Sequence, residues 1–296
     1  MAQTDTTLSG KTGAAEAAPL LFTYSRDDQP WFRRSLIRAV ERLSGRARLE
    51  RLYRSWVVAR SGNETIFAAG LRLLDVAAEV SAPEIARIPH RGGLLVLVNH
   101  PFGIIDGLVV GDLLHRLRGD VKILTHSLLC QPPEAAEVLL PVDFSPGPEA
   151  RRISLDTRRR AQEWLAAGHV VVVFPAGSVS TSVRPWAGPA VDAAWHPFIV
   201  RLGGQAGVTV LPMFLHGQNS RGFQIVSHFS YPLRVALIFR ETRAWAGHRV
   251  RLSVGVPQRL PGGDRAGAVA ALRRACYALG GQSGDAEFVW PRWIRW

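Results

Sequence analysis

A histidine and an aspartate, His100 and Asp106, are the residues of this sequence best suited to proton transfer. They lie in the segment VLVNHPFGIIDG, in which Pro101 and Gly103 stand between them. On an unbroken helix this six-residue separation would place the two side chains about 240° apart around the axis, so they would not touch. The proline and the glycine predict a curled loop instead, in which Asp106 turns back to accept a hydrogen bond from one imidazole nitrogen.

Such a pair can act as a general base and its orienting partner. Imidazoles titrate near neutral pH and can take a proton from a hydroxyl group, which is worth roughly 10² to 10⁴ in rate. A neighbouring carboxylate fixes the tautomer and stabilises the imidazolium as it forms. The alternative is structural: His100 caps a turn, and Asp106 caps a helix over residues 107–117.

Two further loops carry polar groups after apolar runs. VVVVF leads into PAGSVSTS at residues 175–182, and a third run ends in LHGQNS, which contains His216 and Asn219. Backbone amides near Gly103 or Gly177 could bind a phosphate or the oxyanion of an acyl-transfer intermediate. The alternative for the second loop is an ordinary strand-to-helix turn with a serine cap. Because α/β folds bind ligands at the carboxyl ends of parallel strands, three such loops predict a site.

The strands that must position these loops alternate with helical segments. Continuous apolar runs of this kind are covered on both faces of a sheet, so the pattern predicts an α/β fold with a mostly parallel central sheet covered by helices. The predicted strands span residues 94–98, 121–124, 169–174, 208–215 and 250–254.

Both ends of the chain combine arginine with tryptophan. Residues 31–60 have helical spacing, and Gly45 predicts a break into two helices. A basic amphipathic helix with Trp31 and Trp56 near its ends suits a membrane interface, and the alternative is a helix packed on the core with one solvated face. The last residues, FVWPRWIRW at 288–296, predict contact with lipid, with another subunit or with the protein's own flank.

The composition narrows the possible functions. The 296 residues have a formal net charge of +12, and all but Lys11 and Lys122 of the 36 basic residues are arginines. This excess attracts polyanions, either nucleic acid or an anionic membrane. The hydrophobic fraction of 47% excludes a largely disordered chain. No apolar run is long enough to span a bilayer, and the first twenty residues do not resemble a signal peptide. The two cysteines are far apart in the sequence and predict neither a disulfide framework nor a zinc cluster.

The motifs together resemble those of the PlsC-type glycerolipid acyltransferases, also called lysophospholipid or 1-acylglycerol-3-phosphate acyltransferases, over roughly residues 89–256. NHPFGIIDG is similar to that family's Asn-His and Asp block, with five rather than four residues between His100 and Asp106. FPAGS resembles its Phe-Pro-Glu-Gly-Thr block, and VLPMFLHGQNS its later strand-and-proline block. The sequence departs from the family where Ala176 replaces a glutamate and Val179 an arginine, so two polar contacts to a phosphorylated acceptor are missing.

The resemblance implies an O-acyltransferase of membrane lipid synthesis. It would move a fatty acyl group from acyl-CoA or acyl-ACP, as co-substrate, to the free hydroxyl of a lysolipid such as lysophosphatidate or lyso-ornithine lipid. His100 would be the general base and Asp106 its partner, with no bound cofactor and no metal. The implied substrate-binding residues are Asn99, Phe102, Gly103, Gly107, Phe174, Pro175, Ala176, Gly177, Ser178, Ser180, His216 and Asn219.

The expected partners are an anionic membrane surface, the lysolipid acceptor and acyl-CoA or the acyl carrier protein, at the cytoplasmic face of the membrane. No nucleic-acid partner is expected, because no helix-turn-helix, zinc finger or RNA-recognition sequence is present. The expected division is a flexible tail (1–25), a basic amphipathic helical arm (26–88), an acyltransferase domain (89–256), and a C-terminal helix with a Trp/Arg-rich tail (257–296).

Three other interpretations stay open. A lipid or ester hydrolase would use Ser178 or Ser180 as nucleophile, although the sequence has no G-x-S-x-G elbow. A basic nucleic-acid-binding protein would rely on the net charge alone. A metal site would combine His100 and Asp106 with Asp112 and His115, which supply no clear third ligand and open water position for a catalytic zinc.

Overall fold

A computed structural model describes residues 31–60, 62, 64–130, 132–143, 147–291, 293 and 294 of the chain. The predicted tail at 1–25 and the side chains of Arg292, Arg295 and Trp296 lie outside these residues. The strands are β1 (Ala77–Glu79), β2 (Gly93–Val98), β3 (Val121–His126), β4 (Leu139–Val142), β5 (Val170–Val173), β6 (Thr181–Arg184), β7 (Ala187–Val191), β8 (Val208–Leu215) and β9 (Arg249–Val254).

Helices cover the sheet that most of these strands form. They are α1 (Trp31–Ser44), α2 (Arg46–Ala59), α3 (Ile66–Leu74), α4 (Ala82–Ile85), α5 (Ile104–Arg118), α6 (Pro133–Ala136), α7 (Pro148–Ala166), α8 (Phe198–Gly203), α9 (Arg221–Ser227), α10 (Tyr231–Ala244) and α11 (Arg265–Ala278), with a 3₁₀ helix at Ser127–Cys130.

The central sheet has seven strands in the order β1-β9-β8-β2-β5-β3-β4. Neighbouring strands run parallel except β8 and β9, which are antiparallel. The predicted fold class, a mostly parallel sheet covered by helices, is therefore confirmed. All five predicted strands are present, as β2, β3, β5, β8 and β9. Because β8, β2 and β5 are parallel neighbours, the three polar loops that follow them start from one edge of the sheet.

The sheet is buried on both faces because its central strands are apolar at every position. All side chains of β2 and β5 are buried. Val96 packs on one face with Phe67 of α3 and Val109 of α5, whereas Leu97 packs on the other face with Leu272 of α11. Successive side chains of a strand point to opposite faces, so a continuous apolar run builds both layers of the core.

The strands that the sequence does not predict are short or exposed. β1 and β4 pair at the two edges of the sheet, and β6 and β7 form a separate antiparallel hairpin. The sequences of the hairpin strands, TSVR and AGPAV, contain no continuous apolar run, since only part of each strand is buried.

The basic N-terminal segment forms two helices that break at Gly45, as predicted. Gly45 has a φ of 91°, a conformation that glycine adopts without a steric penalty. α1 packs on α10, and α2 contacts α3 and α10. Trp31 is exposed, but Trp56 is buried and its indole N–H donates to Glu64 Oε2 at 2.9 Å. For Trp56 the packed-helix alternative is therefore correct, and its expected position at a lipid surface is wrong.

The C-terminal tail divides between packed and exposed tryptophans. The Trp290 ring contacts the rings of Phe288 and Tyr231 and lies 4.9 Å from the Arg234 guanidinium, so this part of the tail packs on the protein's own flank. Trp293 is exposed. Within the described part of the chain, no helix has the length and apolar character needed to cross a bilayer.

Candidate active site

His100 lies in the loop that follows β2, and it is held on several sides. Its backbone N–H donates to Asp192 Oδ1 at 3.2 Å, and its carbonyl accepts the N–H of Ser180 at 2.7 Å. Its imidazole stacks on the ring of Phe174, with 4.3 Å between ring centroids. The residue is thus fixed by groups from the loops that follow β5 and β7.

The predicted contact between His100 and Asp106 is present. His100 Nδ1 lies 2.7 Å from Asp106 Oδ2, which also accepts the backbone N–H groups of Phe102 (2.9 Å) and Gly103 (2.8 Å). The carboxylate therefore caps α5 and also orients the imidazole. The catalytic-pair interpretation and the helix-cap interpretation of Asp106 are thus compatible in this structure. Since Oδ2 acts as an acceptor, the hydrogen-bond network assigns the proton to Nδ1 and leaves Nε2 to accept another.

Gly103 makes the curl in this loop possible. Its φ of +88° is unfavourable for other residues, and an added Cβ would lie 3.2 Å from Ile238 Cγ2 and 3.3 Å from Val179 Cγ2. The helix begins at Ile104, three residues earlier than predicted, and this start brings Asp106 into its first turn.

Asp106 is fully buried, and this sets the electrostatics of the pair. Burial raises the pKa of its carboxyl above the ordinary value, while the hydrogen bonds from His100, Phe102 and Gly103 act in the opposite direction. A carboxylate shielded from water interacts strongly with a charge that forms beside it. The arrangement therefore suits an imidazole that gains a proton during a reaction.

The imidazole borders a cavity of about 570 Å³. The walls come from α2, α3, α5, β3 and α10 and from the loop that follows β5. Their lining is mainly apolar and includes Leu52, Trp56, Ile66, Leu73, Leu108 and Ile123. A large apolar cavity with a few convergent polar groups is typical of a site for a small, largely apolar ligand.

Seven of the predicted substrate-binding residues line this cavity. They are Gly103, Gly107, Phe174, Pro175, Ala176, Gly177 and Ser178. The first two belong to the start of α5, and the others to the segment that follows β5. The structure thus brings the first two predicted loops together around one space.

Two of the remaining predicted residues have supporting positions outside the cavity lining. Asn99 joins β2 to β8, because its side chain donates to the carbonyl of Leu215 at 2.9 Å and accepts the N–H of Leu215 at 2.7 Å. Phe102 is buried against Trp245, with 4.3 Å between ring centroids.

The other three predicted residues also lie outside the lining. Ser180 Oγ donates to Asp192 Oδ1 at 2.5 Å. His216 Nε2 pairs with Ser253 Oγ at 2.9 Å, and Asn219 is buried in the loop that follows β8. The third loop therefore starts at the predicted edge of the sheet, but these side chains do not reach the cavity.

The backbone N–H groups of Gly103 and Gly177 themselves are already hydrogen-bonded within the protein. The N–H of Gly103 donates to Asp106, and the N–H of Gly177 donates to the carbonyl of Phe174 at 3.0 Å. These two N–H groups are therefore not available to a ligand, whereas the other amides near Gly103 and Gly177 stay predicted oxyanion donors. Ser178 Oγ is buried, and among the described residues it has no hydrogen-bond partner. The residue itself lines the cavity.

Asp192 is a supporting residue that the sequence does not reveal. It is fully buried, its Oδ1 accepts from the His100 N–H and the Ser180 hydroxyl, and its Oδ2 accepts from Trp195 Nε1 at 2.8 Å. It joins the loops that follow β2 and β5. No local pattern signals this role, since 92 positions separate it from His100.

Arg234 of α10 is a second such residue. It is buried beside the cavity, where it donates to the Val179 carbonyl and to Thr181 Oγ1, and its guanidinium lies 4.9 Å from the Phe223 ring. Burial lowers the pKa of Arg234 to about 9, so the side chain stays charged at neutral pH. It fixes the segment that follows Ser178.

The residues weighed as a metal site are not gathered in one place. Asp112 is buried and forms an ion pair with the exposed Arg116, one turn further along α5, at 2.9 Å. In the part of the chain that the structure describes, no group of three or more histidine, cysteine, aspartate and glutamate side chains is placed to hold a metal ion.

Comparison with known protein families decides the broad identity. A family model described as Acyltransferase matches residues 35–277, which include most of α1, all of α2, α3 and α4, and the whole central sheet. The chain belongs to this acyltransferase family. The membership that the motifs predict is thereby confirmed, whereas the roles of individual residues stay predictions.

Two curated relatives of the acyltransferase are each named lyso-glycine lipid O-acyltransferase. The protein of Phocaeicola vulgatus is 27% identical over 156 residues, and that of Bacteroides thetaiotaomicron is 29% identical over 156 residues. The matched part is 52% of this chain and 52% and 54% of theirs, so it spans about half the length of these relatives.

Several solved chains are similar to the acyltransferase, and one of them is itself named an acyltransferase. It is the crystal structure of the 1-acyl-sn-glycerophosphate (LPA) acyltransferase PlsC from Thermotoga maritima, with a TM-score of 0.45 and 15% sequence identity. The superposition covers 84% of this chain and 82% of that one.

Proposed function

We propose that this acyltransferase moves a fatty acyl group from a thioester carrier, acyl-CoA or acyl-ACP, to the free hydroxyl of a lysolipid. The observation that carries the proposal is the imidazole of His100, which is oriented by a buried carboxylate and borders a large apolar cavity. A lysolipid acceptor is supported by the names of the two relatives.

In the proposed reaction, His100 Nε2 takes the proton of the acceptor hydroxyl while the hydroxyl oxygen attacks the carbonyl carbon of the thioester. Asp106 stabilises the imidazolium that forms. The tetrahedral intermediate then collapses, the carbon–sulfur bond breaks, and the departing sulfur takes the proton from the imidazolium. Ser178 Oγ supplies a hydrogen bond to the oxyanion of the intermediate.

The serine contacts favour direct transfer over hydrolysis through a serine nucleophile. Such a nucleophile needs a hydrogen bond to its base. Ser180 Oγ donates to Asp192 instead, and Ser178 Oγ has no partner among the described residues. The acyl group therefore passes to the acceptor without an acyl-enzyme.

The apolar part of the cavity is the proposed site of the acyl chain. Leu52 and Trp56 of α2 and Leu73 of α3 form part of its wall. The predicted helical arm (26–88) thus contributes to the binding site of the predicted acyltransferase domain (89–256). We infer that the two segments work as one unit and that removal of the arm would abolish binding of long acyl chains.

The proposed acceptor is a lysolipid with an amino-acid headgroup, such as lyso-glycine or lyso-ornithine lipid. At the cavity wall Ala176 and Val179 offer no charged side chain to a phosphate headgroup. The two arginines that line the cavity are engaged elsewhere, since Arg234 donates to Val179 and Thr181 and Arg158 lies over the Phe198 ring. Lysophosphatidate is therefore the less favoured acceptor.

Attachment to an anionic membrane is supported by exposed aromatic side chains. Trp186 in the β6–β7 hairpin, Phe229 after α9 and Trp293 in the tail are 73%, 63% and 71% exposed. We call these three residues the aromatic edge. Exposed arginines, Arg184 and Arg221, lie on the same segments. Aromatic rings beside arginines suit the headgroup layer of an anionic bilayer.

The segment after α9 contacts the other two segments of the aromatic edge. His228 Nε2 lies 2.9 Å from the Ser182 carbonyl, and the His228 ring packs on Phe288 at 5.2 Å. Peripheral binding at the cytoplasmic face would bring the cavity to the leaflet that holds the acceptor. Replacement of Trp186 and Phe229 by serine should reduce co-sedimentation with anionic vesicles, whereas serine at exposed Val256, on another part of the surface, should not.

The experiment that tests the proposed function pairs donors with acceptors. Purified protein is incubated with acyl-CoA or acyl-ACP against lyso-glycine lipid, lyso-ornithine lipid and lysophosphatidate, and products are identified by mass spectrometry. The proposal predicts an acylated amino-acid lipid. Release of free fatty acid without an acceptor would instead indicate a hydrolase, and an inactive panel would contradict the proposed substrates.

A further inference from the structure

A second concave region adjoins the cavity that borders His100. It has a volume of about 350 Å³ and is lined by Arg158 of α7, Arg201 of α8 and Arg265 of α11, together with Phe198. We call these four residues the arginine groove. Its three arginines come from three different helices, so the fold and not a local sequence run brings them together.

The charge of the arginine groove is not balanced by carboxylates. Among the described residues that line it none is acidic, and none of its three arginines forms an ion pair with a described carboxylate. The nearest acidic neighbour in sequence, Asp264, caps α11 by accepting the N–H of Gly267 at 2.8 Å. Arginines gathered in a concave site attract a ligand with several negative oxygens.

Two adjacent arginines of α7, Arg158 and Arg159, differ in whether they form ion pairs. Arg159 pairs with Asp156 at 2.7 Å and with Glu163 at 2.9 Å, which is the usual pattern of an exposed helix face. The adjacent Arg158 instead lies over the ring of Phe198, 5.6 Å from its centroid. This stack offers a flat face on which an aromatic base can lie.

The arginine groove is continuous with the site of the proposed reaction. Arg158 and residues 196–198 line both cavities. The N–H of His196 donates to the carbonyl of Pro175 at 2.9 Å, and the preceding residue, Phe174, stacks on His100. A ligand whose thioester lies at His100 can therefore extend along this wall into the groove.

His196, at the junction, is biased toward its neutral form. Burial, and to a smaller extent the charge of Arg158, lowers the pKa of its imidazole below the ordinary value. Its Nδ1 accepts the N–H of Phe198 at 3.2 Å. The attraction for an anion thus comes from the three arginines.

We propose, on the basis of the function proposed above, that the arginine groove binds the phosphorylated adenosine end of acyl-CoA. The phosphates pair with the arginines, the adenine lies against Arg158 and Phe198, and the pantetheine arm runs along the shared wall to His100. A concave site of this size fits a nucleotide, whereas an acidic carrier protein needs a broad, open basic surface. The donor is then acyl-CoA and not acyl-ACP.

The first test measures binding and needs no turnover. Adenosine 3′,5′-bisphosphate is titrated into the full-length protein, its R201E/R265E variant and an R249E/R251E control. The control makes the same charge change at two exposed arginines of β9, which do not line the groove. We expect affinity to fall at least about tenfold in R201E/R265E and to change less than about twofold in the control. Equal binding by both variants would overturn the proposal.

The second test uses two donors that differ only in their distant end. R201E/R265E should raise KM for acyl-CoA at least about tenfold and leave kcat/KM unchanged for the matching N-acetylcysteamine thioester, which lacks phosphate. A loss confined to transfer from acyl-ACP would assign the groove to a carrier protein and overturn the proposal. Equally tight binding of inorganic phosphate would show a general anion site, which also contradicts it.

The two tests distinguish failure of the proposed nucleotide site from failure of the proposed acyltransferase function. If the protein binds the bisphosphate through Arg201 and Arg265 but acylates no lysolipid, the nucleotide site is supported and the proposed lysolipid acceptor is refuted. A chain that acylates lysolipids, with R201E/R265E equal to wild type on acyl-CoA, would refute the groove alone.

Discussion

Replacement of Asp106 by asparagine isolates the charge of the proposed catalytic pair from its geometry. Asp106 Oδ2 accepts three hydrogen bonds, whereas Oδ1 is buried and has no partner among the described residues. An asparagine oxygen must therefore take the Oδ2 position, because an amide NH₂ there would face the N–H groups of Phe102 and Gly103. The imidazole of His100 keeps its orientation and tautomer. The variant loses the negative charge and places its amide NH₂ at the buried Oδ1 position, which has no partner among the described residues.

The size of the effect follows from the short contact. At about 4 Å between charge centres and an effective dielectric constant of about 20, the attraction between carboxylate and imidazolium is about 4 kcal/mol. Because this attraction exists only once the imidazole is protonated, its loss falls on kcat and should lower it by roughly 10² to 10³. KM for acceptor and donor should change little.

The variant should also stay folded. Because burial raises the pKa of Asp106, the folded chain binds this proton more readily than the unfolded chain. The charged residue therefore costs stability as the pH rises above the ordinary range of an aspartate, and asparagine removes that cost. The free energy of unfolding of Asp106→Asn, relative to wild type, should rise from acid to neutral pH.

The assay combines steady-state kinetics on the most active donor and acceptor pair with urea unfolding at several pH values. Asp106→Ala serves for comparison, because it also removes the cap of α5 and should lose about 1 kcal/mol of stability as well as activity. If Asp106→Asn keeps kcat within about threefold of wild type while folded, the electrostatic reasoning is refuted.

Three further substitutions test other parts of the site. Ser178→Ala should lower kcat roughly 10²-fold in steady-state assays with little change in KM, if the free hydroxyl donates to the oxyanion; an unchanged kcat would exclude that role. An added Cβ at Gly107 meets no atom within 4 Å, so Gly107→Leu should extend into the cavity and raise KM at least about tenfold for long but not short acyl donors; equal KM values would contradict this assignment. Asp192→Ala leaves three buried donors without an acceptor, so urea unfolding should show a loss of about 2 to 5 kcal/mol, and a loss under about 0.5 kcal/mol would contradict the supporting role.

The sequence predicts the sheet well because its strands are apolar throughout. β2 and β5 are covered on both faces, so nearly every residue of GLLVLV and VVVV is hydrophobic and the pattern is unambiguous. The edge strand β1 has three residues, two of them exposed, and offers no such pattern. Its position depends on pairing with β9, which is distant in the chain.

The His–Asp contact could be predicted because its cause is local. Gly103 and Pro101 make the chain curl, and Asp106 lies close enough in sequence to cap the helix that follows. Asp192 and Arg234 could not be predicted, because their contacts with the loops that follow β2 and β5 join distant parts of the chain.

The third loop shows the limit of reasoning from strand ends. His216 and Asn219 do follow a strand at the correct edge of the sheet. The orientation of each side chain is decided by neighbours such as Ser253, which pairs with His216. Strand order places a loop near a site, whereas side-chain packing determines which residues enter it.

The central claim is that His100 acts as the general base, and the most direct measurement of it compares substitutions of two histidines. His169 pairs with Asp120 at 3.0 Å, but it precedes β5 at the opposite edge of the sheet and does not line the cavity. His100→Ala should lower acyl transfer at least about 10²-fold, and His169→Ala should leave it within about threefold of wild type, with both variants folded by circular dichroism. Substantial transfer by folded His100→Ala, or an equal loss in both variants, would contradict the account.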